Sequence, residues 1–258
     1  MAEKRYLMTP GPTPAPPEVL AALGQPVIHH RGPDYRQLYA EVLGRLREVF
    51  RTEQEVLLFG GSGSGAMESA VANLVSPGDP VLVVSAGYFG ERWAAIAKAY
   101  GAEVDHLRHA WGEIPSADEV AARLREREAA VVFFTHSETS TGVVLDPQPF
   151  AAAAREAGAL SAIDAVSSLG AVPLETDAWG LDVVASGAQK ALMTPPGLAM
   201  VTASESAWAR CAAAASPRFY WDWERQRRAQ AKGSTPSTPA TSLVVALVAA
   251  LGLVLEGG

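Results

Sequence analysis

The stretch VLLFGGSGSGAMESAVANLVSPGDPVLVV, residues 56–84, decides the architecture. A four-residue apolar run, Val56 to Phe59, meets a glycine-rich turn. A helix-compatible segment, Ala66 to Val75, follows, then a Pro-Gly turn and a valine-rich run from Val81 to Val84. Apolar runs without polar alternation suit strands covered on both faces, and a helical crossover between two of them implies parallel pairing. The same alternation continues downstream. Strands are predicted at Val104 to Leu107, Val131 to Thr135, Leu160 to Ile163, Val183 to Ser186 and Leu198 to Thr202. Helices are predicted at Gly90 to Tyr100, Ala117 to Glu126 and Pro149 to Ala157. The expected fold is α/β: a doubly wound, mostly parallel sheet with helices on both faces, in three α/β/α layers. Ligands of such sheets bind beyond the carboxyl ends of the strands, so the residues after each strand carry the functional information.

Ahead of the sheet, Thr9 to Pro17 holds five prolines and reads as an extended or turning arm. It is followed by His29, His30 and an amphipathic helix from Pro33 to Phe50. Behind the sheet come a mixed-charge segment, Trp221 to Lys232, the stretch GSTPSTP at 233–239, and an apolar run from Leu243 to Leu255. That run is shorter than the ~20 residues that a membrane-spanning helix needs and reads as a buried helix. The division expected is an N-terminal arm, residues 1–32, and one large domain, residues 33–258.

With 28 acidic against 21 basic residues the 258-residue chain carries a net charge of −7, which gives no overall positive field for a nucleic-acid partner. One cysteine makes no disulfide framework and no multi-cysteine zinc site, and it suits a reducing compartment. Met1 to Met8 lacks the apolar core of a signal peptide, so a cytoplasmic location is expected, with no membrane partner. Adjacent histidines such as His29 and His30 point apart and do not by themselves complete a tetrahedral metal site; no metal is expected.

Three strand ends stand out. After the first strand, Gly60-Gly61-Ser62-Gly63-Ser64-Gly65 opens a helix, where free backbone N–H groups and the helix dipole favour a phosphate. The bland alternative is an ordinary glycine-rich turn. No lysine follows, as a P-loop would require. Gly61, Gly63 and Ala66 fit the loose dinucleotide pattern, but Ser85-Ala86-Gly87 stands where that pattern wants an acid. After the fifth strand comes Asp164, in LSAIDAVSSLG; it either caps the following turn or holds the proton of a cationic ring nitrogen. After the sixth comes Lys190, in SGAQKAL, one of only four lysines and the only one outside a polar segment or an exposed helix face. A partly desolvated lysine is a nucleophile toward aldehydes, whereas a surface ion pair is its bland reading. A phosphate cup, an acid for a pyridinium nitrogen and a lysine for an aldehyde together describe a pyridoxal 5'-phosphate site.

These residues resemble the class V, fold-type I pyridoxal-phosphate aminotransferases, most nearly the alanine-glyoxylate and serine-pyruvate (serine-glyoxylate) branch. The resemblance covers nearly the whole chain. It runs through Thr9-Pro10-Gly11-Pro12-Thr13, then SGSG, HSETSTG, DAVSSLG, SGAQKAL and PPG, in the family's order and spacing. It implies Lys190 as the Schiff-base lysine and the base of the proton shift, with Asp164 holding the ring nitrogen's proton. Ser62, Gly63, Ser64 and Gln189 would line the phosphate, and Phe89 would stack on the ring. In His136-Ser137-Glu138-Thr139-Ser140-Thr141-Gly142, Thr139 would approach the cofactor's 3'-oxygen or the substrate; Ser137 stands where the family has Gly. Ser237 and Thr238 would cross to the neighbouring subunit's phosphate, so the resemblance implies a homodimer with shared active sites. Ser234, Thr235 and Pro236 replace the family's usual His and Tyr just ahead of them.

The activity implied is ping-pong transamination from alanine or serine to a 2-oxo acid such as glyoxylate or pyruvate. The family's smaller C-terminal domain, with the arginine that clamps the substrate carboxylate, has no counterpart before Gly258. None of Arg210, Arg218, Arg225, Arg227 and Arg228 matches that arginine. The chain therefore reads as the cofactor-binding large domain, either a fragment or a naturally short protein. Two alternatives stay open: another class V chemistry (an aminophosphonate transaminase or a lyase), or a truncated domain that binds the cofactor or dimerises without turnover. Cysteine desulfuration needs a mobile cysteine, and Cys211 lies in an alanine-rich stretch that reads as packing.

Overall fold

A computed structural model describes residues 7–257. The sequence readings of residues 1–6, Lys4 among them, and of Gly258 lie outside the described residues. Seven strands form the main sheet: β1 (Val56–Gly61), β2 (Pro80–Ser85), β3 (Glu103–Arg108), β4 (Val131–Thr135), β7 (Leu160–Asp164), β8 (Val183–Gly187) and β9 (Gly197–Ala203). Their order across the sheet is β1-β9-β8-β7-β4-β2-β3. Strands β3, β2, β4, β7 and β8 pair in parallel, while β9 runs antiparallel to both β8 and β1. A small hairpin, β5 (Ser137–Glu138) with β6 (Val143–Val144), stands apart from the sheet. The hairpin and the antiparallel β9 add to the expected sheet, which remains mostly parallel.

Helices cover both faces. Val56 and Leu58 point into one core with α2 (Pro33–Phe50), α5 (Ala117–Glu126), α6 (Pro147–Glu156) and α9 (Thr241–Glu256). Leu57 and Phe59 point into the other, with α3 (Gly63–Leu74), α4 (Tyr88–Ala99), α7 (Glu205–Ala213) and Trp223 at the start of α8 (Trp223–Gln230). This period-two split of one short strand is what a three-layer fold requires, since successive side chains leave opposite faces. The Pro-rich stretch stays free of helix up to Pro16, and α1 (Pro17–Leu23) then starts with a proline at its first turn and seats Val19 against Ala246 and Ala250 of α9. Helix α9 is thus buried along two stripes rather than all round, with Val244, Leu247 and Leu251 facing the sheet. Among the described residues no helix is long and apolar enough to cross a membrane.

Strand β1 is a sheet edge, and unpaired edge groups need cover. Two buried glutamines of α8 supply it. Gln226 Nε2 donates to Leu58 O at 2.7 Å, Gln230 Nε2 donates to Val56 O at 3.0 Å, and Gln230 Oε1 accepts from Leu58 N at 2.9 Å. A segment that reads from sequence as a surface of mixed charge is therefore an edge cover made by two side chains.

Candidate active site

A cavity of ≈ 270 Å³ opens beyond the strand ends, near the ~300 Å³ lower end of ordinary ligand sites. Ser62, Gly63, Ser64, Phe89, Asp164, Gln189 and Lys190 all line it, so seven of the sequence candidates meet at one place. They arrive from four strand ends: the cup from β1, Phe89 after β2, Asp164 from β7, Gln189 and Lys190 after β8.

The cup is the first turn of α3. Ser62 is its N-cap, its hydroxyl accepting from Gly65 N at 3.4 Å. The N–H groups of Gly63 and Ser64 precede the first intrahelical bonds and have no helical carbonyl to pair with. A side chain on Gly63 would run into Val166, whose Cγ2 lies 2.5 Å from where a Cβ would sit, and one on Gly65 would meet Trp221 at the same distance. Two of these glycines thus serve close packing as well as an open helix end. Gln189 Oε1 is buried here without a hydrogen-bond partner. Turned over, its amide would offer N–H donors to the same space.

Asp164 is 3% exposed. Burial pushes its carboxyl up to about 7, opposed by the Val166 N–H that donates to Oδ1 at 2.8 Å; Glu138 raises it further, while Arg92 and Lys190 draw it down. The capping role expected as the bland reading is thus present, alongside an acid held near neutrality and short of a cationic partner. Burial lowers the Lys190 ammonium below its usual value, and Asp164 partly opposes this. Its Nζ donates to Pro10 O at 3.2 Å, and Gly11 lies so close that a Cβ there would fall 2.7 Å from Nζ. Thr13 N donates to Gln189 O at 3.0 Å and Thr13 Oγ1 to Lys190 O at 2.7 Å. The Pro-rich arm is therefore a wall of the site.

The three other candidates lie off the cavity. Thr139 does not line it; its hydroxyl bonds the Ser167 hydroxyl at 2.5 Å, and Ser167 does line it. Ser237 and Thr238 are exposed and border a separate cleft with Phe219, Tyr220 and Arg225, next to Gly60 rather than Lys190. Cys211 is buried against Asn73, its thiol pushed up by desolvation, in line with the packing reading. The arginines set aside in the sequence are used locally: Arg210 pairs with Asp79, Arg227 with Glu55 and Arg228 with Glu224.

Sequence reasoning missed Glu138 and Arg92. Glu138 is buried, and its carboxylate accepts from the N–H groups of Phe89 and Gly90, each at 3.0 Å, and from Ser140 N and Oγ. It thereby anchors the first turn of α4, which carries Phe89. Arg92 lines the cavity one turn along α4, donates to the Ser64 hydroxyl, and lies over the rings of Phe89 and Tyr88 at 4.8 and 5.0 Å. The i,i+3 spacing from Phe89 was the available signal for Arg92.

The donor set fits pyridoxal phosphate: a helix N-terminus and an unpartnered amide for the phosphate, an aromatic ring for stacking, a buried acid for the ring nitrogen, a desolvated lysine for the aldehyde. Comparison with known proteins agrees. The model of the family described as aminotransferase class-V matches residues 5–257. A protein of Anabaena cylindrica named soluble hydrogenase 42 kDa subunit is 43% identical, over 100% of this chain and 68% of its own length. A solved alanine–glyoxylate aminotransferase from Nostoc sp. superposes with a TM-score of 0.95 at 35% identity, covering 100% of this chain and 70% of that one. An aspartate aminotransferase from Thermus thermophilus gives 0.92 at 40% identity, over 98% and 71%.

Proposed function

The chain belongs to the class-V aminotransferase family, and from that premise we propose that it moves an amino group from alanine or serine to a 2-oxo acid such as glyoxylate or pyruvate, by ping-pong transamination with pyridoxal 5'-phosphate. The observation that carries this reading is the convergence of Lys190, Asp164 and the α3 cup on one cavity. Residues 33–258 are assigned as the cofactor-binding large domain and residues 1–32 as an N-terminal arm, of which Gly11 and Pro12 line the cavity. The hydrogenase name of the Anabaena cylindrica relative is not adopted, because one cysteine supplies no set of thiolates for a Cys-ligated cluster.

When bound, the cofactor supplies an aldehyde and an electron-withdrawing ring. Lys190 would hold that aldehyde through its amine, whose neutral form burial favours, and its Nζ would be the base that takes up and returns a substrate proton. Asp164 would hold the ring-nitrogen proton, a cationic partner that would favour the ionised carboxylate that burial alone opposes. Gly63 and Ser64 N–H, the Ser62 and Ser64 hydroxyls and Gln189 hold the phosphate. Phe89, whose backbone N–H is anchored by Glu138, would stack on the ring, and Thr139 would act through Ser167. Ser237 and Thr238 reach the phosphate of a second copy in a homodimer; their exposure, with Phe219 76% and Tyr220 52% exposed beside them, supports an intersubunit surface. A cytoplasmic location completes the proposal.

The test is an absorbance spectrum of the protein with pyridoxal phosphate against Lys190→Ala. A visible band in the wild type, abolished by borohydride and missing in the variant, is expected. Alanine or serine should bleach it within the half-reaction; aspartate is the control donor. A band that neither alanine nor serine bleaches overturns the assigned donors, and no band in the wild type overturns the cofactor assignment.

A further inference from the structure

We propose that Arg92 is a phosphate-positioning residue, its guanidinium turning from the Ser64 hydroxyl to the cofactor's phosphate when that group enters the cup. The inference rests on the cofactor assignment above. Among the described residues no carboxylate lies within ion-pair distance of Arg92, although it lines the cavity with Asp164 and Lys190. A guanidinium presents five N–H donors, and only one hydrogen bond, to Ser64 Oγ, engages it here. The field of Arg92 reaches the buried Asp164 carboxyl, yet its guanidinium bonds no anion among the described residues, so most of its donors stand ready for one that enters the cavity.

The position of the cation selects which anion. Ser64 belongs to the first turn of α3, and the hydroxyl to which Arg92 donates is one of the groups assigned to the phosphate, so the guanidinium is one hydrogen bond from the cup. The faces of Phe89 and Tyr88, at 4.8 and 5.0 Å, hold the guanidinium plane by cation–π contact and reduce the freedom it must lose on binding. The α3 dipole and Ser62, Ser64 and Gln189 offer only partial charges; Arg92 is the full positive charge of the cup. Planar N–H pairs suit phosphate oxygens, which lysine's point charge matches less well.

The experiment compares two aldehydes, pyridoxal 5'-phosphate and pyridoxal, which differ only in the phosphate, by titrating the visible band of wild type, Arg92→Gln and Arg92→Lys. A charge-assisted hydrogen bond is worth roughly a ten- to hundredfold change in affinity. Arg92→Gln is therefore expected to weaken pyridoxal phosphate by about that factor, to leave pyridoxal unchanged, and to be partly rescued by Arg92→Lys. A second readout uses only the wild-type chain: phenylglyoxal labelling of Arg92, followed by peptide mass, should be blocked by inorganic phosphate and not by pyridoxal. Equal weakening of both aldehydes, or labelling indifferent to inorganic phosphate, overturns the role of Arg92 while leaving the cofactor assignment intact. Unchanged aldehyde binding with a raised KM for the 2-oxo acid would assign Arg92 to a substrate carboxylate and overturn it equally. Failure of the wild type to bind either aldehyde removes both readings together.

Discussion

Asp164 carries a strong pH signature in the chain without ligand. Its carboxyl stands at about 7 in the folded protein against an ordinary 3.8, because desolvation outweighs the single N–H from Val166. Between those two values the folded state binds more protons than the unfolded one, so this group's contribution to stability is full below the unfolded pKa and is lost as pH rises through the folded pKa. Asp164→Asn, which keeps an acceptor for Val166 N–H, should flatten the stability profile between about pH 4 and pH 7 and stabilise the cofactor-free protein at pH 8 by up to ~4 kcal/mol. Urea titrations at pH 5 and pH 8 measure this; an unchanged slope in the variant would place the ionised group elsewhere. Lys190, Asp164 and the glycine cup were legible because lysine, aspartate and a GSGSG turn are unusual after apolar strands. Glu138 and Arg92 were not, since a glutamate in a polar turn and an arginine on a helix look like solvated charge until the fold brings them over Phe89.

At the scale of elements, apolar runs fixed most strands to within two residues, and α2 and α5 have the bounds their periodicity predicts. Two features escaped it. The antiparallel direction of β9 follows from its connection: nine residues separate Gly187 from Gly197, fewer than the dozen or so that a parallel crossover needs. That spacing was readable, but composition alone gave no direction. Five of the eight residues of helix α8 are arginine or glutamine, and its role lies in two glutamines reaching the β1 edge. Gln230→Leu removes the acceptor of Leu58 N–H and of the Tyr39 hydroxyl, and the donor to Val56 C=O, within a buried site. Each orphaned group costs about 1–3 kcal/mol, so a loss of ~3 kcal/mol is expected. In a domain of this size that lowers the melting temperature by roughly 6–12 °C. Arg228→Leu on the exposed side of the same helix breaks only the Glu224 pair and should change stability by no more than ~0.5 kcal/mol. Scanning calorimetry of the two variants separates edge cover from helix propensity, and comparable losses would count against the cover.

On the scale of the whole molecule, a site built on one chain is short of the residues that the sequence placed in the phosphate contact. Ser237 and Thr238 border the Tyr220 and Arg225 cleft, and the loop is held by Thr235 Oγ1 donating to Ser237 O at 2.7 Å, so the pair is presented outward. No reading of one sequence could decide between a misassigned pair and an intersubunit one, because an exposed Ser-Thr step is unremarkable without its partner surface. A mixed assembly decides it. Chains carrying Lys190→Ala have no reactive amine but keep Ser237 and Thr238; chains carrying Ser237→Ala with Thr238→Ala have the reverse. If the sites are shared across a twofold dimer, co-refolding equal amounts gives hybrids with one whole site each. At limiting pyridoxal phosphate the borohydride-sensitive band should then recover to about a quarter of wild type, since half of the dimers are hybrid and each has one of two sites intact. If each chain completes its own site, the mixture shows only the average of its parents, and Ser237 and Thr238 belong to the surface alone.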